Sequence, residues 1–191
     1  MSAGGMKMTL GIILGAVCLS LGFLVIIYNG LVRLKNLAEE GWSGIDVQLK
    51  RRADLIPNLV ESVKGYASHE KDVLEKVTQY RAEAGAASNP LDRGVAEGKL
   101  SGALMNLMAV AENYPDLKAS QNFQDLQKSL TDTEEQIQLA RRYYNGTVRN
   151  LNTSIQSFPN NLVAGLFHFQ AMQFFQLDDA GDRAVPKVAL S

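Results

Sequence analysis

Cysteine and tryptophan each occur once in these 191 residues, histidine twice and proline five times. A single cysteine excludes an intramolecular disulfide framework and a thiolate metal site, and leaves the redox compartment open. Excess charge of one sign is missing too. Nineteen basic and 20 acidic side chains leave a net charge of -1, which removes the bulk electrostatic case for nucleic acid. The chain has no glycine-rich phosphate cradle, no serine elbow and no acid–base pair at helical spacing. The expectation is therefore no enzymatic activity, no cofactor and no resident metal. His69-Glu70 starts like a zinc-protease helix, but Val73 stands where the second histidine belongs, so His69 reads as a helix-surface residue. His168, set among phenylalanines, reads as a packed or interfacial side chain. Asp178, Asp179 and Asp182 are the densest acidic group, but their spacing fits no calcium loop, and Gly181 beside them marks a solvated turn.

The feature that stands out is an uncharged run from Thr9 to Tyr28, between Lys7 and the pair Arg33 and Lys35. About 20 helical residues at roughly 1.5 Å each span about 30 Å, the thickness of a bilayer's hydrocarbon core. A cleaved signal peptide fits poorly, because six apolar residues follow the small-residue site Ser20-Leu21-Gly22. Lipid attachment at Cys18 fits poorly as well, since Val17 is too large for the residue before it. The run reads as a retained single anchor. Basic residues near the span are balanced, and Lys50, Arg51 and Arg52 tip the orientation toward a short external N-terminus and a cytoplasmic remainder. Within the span Gly11, Gly15, Cys18 and Gly22 fall on one helical face, which suits close approach of a second membrane helix.

Beyond the span the prolines mark helix boundaries in an all-α chain, and the organisation reads as a tail over 1–8, a transmembrane helix over 9–28, a helical bundle over 29–178 and a C-terminal tail over 179–191. Leu34, Leu37 or Ala38, Trp42, Ile45, Leu49, Arg52 or Ala53, and Ile56 hold helical period, with Asp54 placed to cap a restarted or kinked helix at Pro57. Leu59, Val63, Tyr66, Val77 and Tyr80 carry the stripe to about Ala84. Residues 85–99 (GAASNPLDRGVAEGK) read as a loop. Leu100 to Ala111 is a third helix. The longest stripe runs from Phe123 through Leu130, Ile137 and Tyr144 to Ile155, the proportion of a long-helix bundle with four-helix-bundle-like packing. Asn29-Gly30 suits either a hinge or a continuous helix. Lys50-Arg51-Arg52, with Asp46 and Asp54, reads as a helix-surface ion-pair face. Trp42, beside Gly41 and Gly44, is either a core ring or an intersubunit anchor. The stretch Phe167 to Phe175, including Phe169 and Phe174, follows no clean period and either folds over the bundle's end or offers apolar surface to another chain.

Two blocks, YNGLVRLKNLAEEGWSGIDVQLKRRADLIPNLVESVKGYASHE from Tyr28 and QIQLARRYYNGTVRNLNTSIQSFPNNLVA from Gln136, together with the preceding span, resemble the LemA family of bacterial membrane proteins. The resemblance implies an N-terminal membrane helix with a short external terminus, a cytoplasmic bundle of long antiparallel helices and no established enzymatic activity. The functional expectation is a helical scaffold that self-assembles at the cytoplasmic membrane and organises or shapes it, with lipid and copies of itself as partners. The rival is an adaptor or regulator that binds a specific envelope protein. Self-pairs or foreign pairs in native-membrane crosslinking separate the two.

Overall fold

The computed structural model describes residues 3–67 and 69–176, with side chains from Gly11 onward. The chain is all-α, with six helices among the described residues: α1 (Ala3–Tyr66), α2 (Lys71–Ala86), α3 (Pro90–Ala111), α4 (Pro115–Ala119), α5 (Gln121–Gln156) and α6 (Asn160–Leu166). It divides into two compact units, Met1–Glu40 with Asn145–Met172, and Gly41–Tyr144 with Gln173–Ser191. The Asp178, Asp179 and Asp182 group and the expected tail over 179–191 lie outside the described residues.

In the second unit the helices run alternately up and down. Arg81 on α2 reaches back to Ala53 on α1, Lys99 on α3 meets Glu83 on α2 at 3.6 Å, and Arg52 on α1 meets both Glu97 on α3 and Glu134 on α5. The expected stripes are what the bundle buries: Ile56, Leu59, Val63, Val77, Leu100 and Leu107 are within one core at 1% exposure or less. Each such side chain contributes roughly 1.5–3 kcal/mol when taken out of water.

Pro57 does not restart the helix, because α1 runs unbroken through it. Proline lacks the amide hydrogen that would bond the carbonyl four residues back, which is Ala53. The Arg81 Nε donates to that Ala53 oxygen at 2.7 Å, so the freed acceptor is satisfied from α2. The chain reverses instead between α1 and α2, which lets Leu74 and Val77 of α2 share a core with Leu59 and Val63. Gly30 is helical as well, so α1 leaves the apolar run without a hinge.

Residues 85–99 are not a loop, and only 87–89 separate α2 from α3. The turn-forming residues there start a helix: the Asn89 side chain accepts from the Asp92 amide at 2.8 Å, and Pro90 takes the first helical position, where a missing donor costs nothing. Gly94 serves packing. A Cβ on Gly94 would sit 2.0 Å from the Gln176 carbonyl oxygen, so the main chain at 176 lies against a helix surface without a side chain.

The first unit is small. Ile27 and Leu31 of α1 pack with Val163 and Ala164 of α6, and Leu24, Ile155 and Phe169 border the cluster. Helix α6 ends in a six-to-one turn: Phe169 N–H bonds Ala164 O at 2.9 Å and His168 N–H bonds Gly165 O at 3.3 Å, with His168 in the left-handed region at φ 55°.

Arg81→Met is expected to destabilise the chain by about 1–3 kcal/mol, and Pro57→Ala in the same background to recover about 1 kcal/mol by restoring the helical donor to Ala53. A double-mutant cycle by urea unfolding in mild detergent measures this; additive effects would refute the proline–arginine link. Gly94→Ala is expected to cost about 1–3 kcal/mol in the same assay. Gly102→Ala, which meets nothing within 4 Å, should be neutral or stabilising by up to about 1 kcal/mol.

Candidate functional site

The chemically dense part of the second unit is a buried ionic cluster. Arg52 is 1% exposed and Glu97 2%. Arg52 Nη2 meets Glu97 Oε2 at 2.5 Å, while its Nη1 meets Glu134 Oε2 at 2.6 Å and donates to Ser101 Oγ at 2.9 Å. Arg93 Nε donates to the other Glu97 oxygen at 3.0 Å, and its Nη2 lies 3.7 Å from Asp46. Two cations thus meet three carboxylates across α1, α3 and α5. Lys50 and Arg51 are exposed, but Arg52 points into the core, so the expected surface ion-pair face is corrected at that residue. The reason is position: Arg52 follows Leu49 by three residues and precedes Ile56 by four, which puts it on the buried stripe.

Above the cluster opens a groove of about 350 Å³ between α3 and α5, with Arg52, Ser101 and Glu134 on its polar side and Leu104, Met105, Met108 and Leu130 on its apolar side. Met105 is exposed. The carboxylates are paired with arginines, and no group of three or more metal-capable side chains occurs among the described residues.

The aromatic residues separate into two places. In the second unit Trp42 packs at 5.5 Å from the Tyr144 ring and 5.8 Å from Phe175, and the Tyr144 hydroxyl donates to the Gln173 carbonyl at 2.7 Å. Burial pushes the Tyr144 phenol above its usual range. Phe175 is fully buried there, whereas Phe174 stays partly exposed. In the first unit Tyr28 lies 4.7 Å from Phe167 and 5.7 Å from Phe169, and the Asn152 side chain exchanges two 2.9 Å hydrogen bonds with the backbone of Met172. His168 is exposed at the end of α6, and His69 is exposed in the break before α2.

Along the apolar run, Ile12, Ile13, Leu14, Leu19, Phe23 and Ile26 are exposed on every side of the helix. It is the one helix among the described residues long and apolar enough to cross a membrane. Gly11, Gly15 and Gly22 meet nothing within 4 Å, and Cys18 is exposed. At about 100° per residue this small-residue face points roughly 180° away from Leu24, Ile27 and Leu31, the face that α6 covers.

Sequence reasoning missed the Arg52–Glu97–Glu134 cluster. The available signal was a charged residue at a stripe position of α1 and, at Glu97, an acid between Gly94 and Leu100 on a helix taken for a loop.

The model of the LemA family matches residues 41–190. Among curated proteins, the magnetosome protein MamQ of Magnetospirillum gryphiswaldense is 25% identical over 211 residues, covering 97% of this chain and 78% of that one. Magnetosome protein MamQ 2 of Paramagnetospirillum magneticum is 27% identical over 83% of this chain and 68% of its own. Protein LemA of Metamycoplasma hominis is 28% identical, with coverages of 84% and 76%.

Arg52→Met is expected to cost about 2–4 kcal/mol, because it leaves the buried Glu97 carboxylate with Arg93 alone, and Arg52→Met with Glu97→Leu to cost clearly less. Chemical unfolding of the full chain in detergent tests this; equal losses would mean the buried charges do not act as a pair.

Proposed function

Because this chain belongs to the LemA family, we propose that it is a non-enzymatic, membrane-anchored helical scaffold that assembles with copies of itself at the bacterial cytoplasmic membrane and organises that membrane. The observation that carries the reading is the apolar run of α1, exposed to its surroundings on all sides although it is the most water-averse part of the chain. A bilayer removes that exposure and satisfies an intact helix whose backbone bonds are already made. Tethering then concentrates the second units on one surface, where weak lateral contacts add up. The uncovered small-residue face offers a route for two spans to meet. The short N-terminus outside and the bundle in the cytoplasm is the orientation we adopt, in keeping with Arg33, Lys35, Lys50 and Arg51 after the span.

A second reading, an adaptor that holds an envelope protein client, is favoured by the groove beside Arg52. The exposed Met105 next to a committed charge suits a partner helix with an apolar face.

Native mass spectrometry of the full chain released from lipid nanodiscs should show multiples of the 20.9 kDa protomer, and Gly15→Leu should shift the distribution toward the monomer. A monomer at every protein-to-lipid ratio, crosslinking in native membranes to one foreign protein, would replace the scaffold reading with the adaptor reading.

A further inference from the structure

We propose that the end of α5 and helix α6 form a second membrane-contact site, a wedge in which Phe158, Leu162, Leu166 and Phe167 enter the headgroup–acyl boundary beside the end of the span. The inference rests on the membrane-anchored reading above and adds to it a surface of the first unit outside the apolar run.

The exposed side chains come first. Phe158 is 80% exposed, Leu162 64%, Leu166 65% and Phe167 50%. Leu162 and Leu166, four residues apart, share one face of α6 and Phe158 lies in the turn that precedes it, while Val163 and Ala164 are buried against α1. A short helix with one apolar face packed and a second apolar face left open to water is costly unless something covers it.

The level at which α6 sits says what covers it. On α1 the cluster it joins consists of Ile27 and Leu31, with Leu24 at its border, and these straddle Tyr28, the last residue of the apolar run. Leu24 lies four residues inside that end, about 6 Å deep at 1.5 Å per residue, which matches the roughly 5–10 Å at which amphipathic helices lie in an interface. If the span is in lipid, α6 is at the boundary by direct packing. Arg33 and Lys35 follow Tyr28 by about 8–10 Å, at the height of the phosphates.

Charge tells the same story. Between Arg149 and Asp178 the chain carries no Asp, Glu, Lys or Arg, although such residues make up 20% of the whole. From the end of α5 through α6 the polar side chains are amides and hydroxyls, Asn152, Thr153, Ser154, Gln156, Ser157, Asn160 and Asn161, and His168 follows the helix. Such a composition enters the interfacial layer without desolvating an ion. Tyr28 against Phe167 and Phe169 places aromatic rings at the same height, where they are favoured.

The test uses the full chain in liposomes with single nitroxide labels read by electron paramagnetic resonance. The native Cys18, in the middle of the span, is the depth control; Phe158→Cys and Leu162→Cys, each in Cys18→Ser, report the wedge from exposed positions that perturb little packing. The expected result is that all three labels collide with oxygen in preference to a water-soluble nickel chelate, with ratios several-fold above that of a water-exposed label, and that the wedge labels lie shallower than Cys18. If Cys18 is in lipid but both wedge labels meet the chelate freely, the wedge is overturned and the anchor stands. Wedge labels shielded from both colliders would mean that a protein chain covers the face, which also overturns it. A chelate-accessible Cys18 would overturn the anchor and the wedge together.

Discussion

A guanidinium placed in an apolar core dictates what must surround it. At Arg52 the desolvation cost is met only if anions arrive from other helices, and Glu97 and Glu134 do so from α3 and α5. Glu97 is itself buried, so it requires a second cation, and Arg93 one turn earlier on the same helix supplies it while reaching Asp46 on α1. Apolar stripes alone tolerate a slip of one helix along another at modest cost. Opposed charges do not, because each slip strands an ion. The cluster thus ties α1, α3 and α5 together at one level of the bundle, and Arg52 and Glu134 also line the groove beside it.

Backbone accounting shapes the rest of the second unit. Pro57 frees the carbonyl of Ala53, and Arg81 answers it from α2, so an element that would ordinarily end a helix becomes a tie between two helices. Gly94 removes a side chain from α3, and the Gln176 main chain occupies the space. That approach keeps the segment after α6 close enough for Phe175 to be buried beside Trp42, with the Tyr144 hydroxyl holding the Gln173 carbonyl. Each device satisfies a polar group or a volume that the helical stripes leave open.

Periodicity made the helices legible. The stripes through Ile45 and Leu49 on α1 and through Phe123, Ile137 and Tyr144 on α5 are buried where a 3.6-residue repeat puts them, and the apolar run is helical and exposed. Local chemistry was misread where the same residues serve two ends. Asn89, Pro90, Gly94 and Gly98 are turn formers by frequency, yet here the first two begin a helix and Gly94 admits a neighbouring backbone. Whether a glycine marks a loop or a close approach depends on a partner 82 positions away, at Gln176, which no local window contains. Arg52 was ambiguous for the same reason: its stripe position argued for burial and its charge for exposure, and the deciding fact was the unseen pair Glu97 and Glu134.

The first unit presents two different faces on opposite sides of one helix. Leu24, Ile27 and Leu31 are covered by α6, whereas Gly11, Gly15, Cys18 and Gly22 lie roughly half a turn around α1 and remain uncovered. A lone span is free to roll about its axis in a bilayer, so a packing face on it has no fixed direction. An interfacial element on one side removes that freedom, because rolling would drag Phe158 and Leu162 out of the boundary layer or too deep into it. Under the wedge and the anchor together, the small-residue face points away from α6 and toward neighbouring lipid or a neighbouring span. In the proposed assembly, contacts between copies would then begin from a set orientation, and less rotational freedom would be lost in forming them.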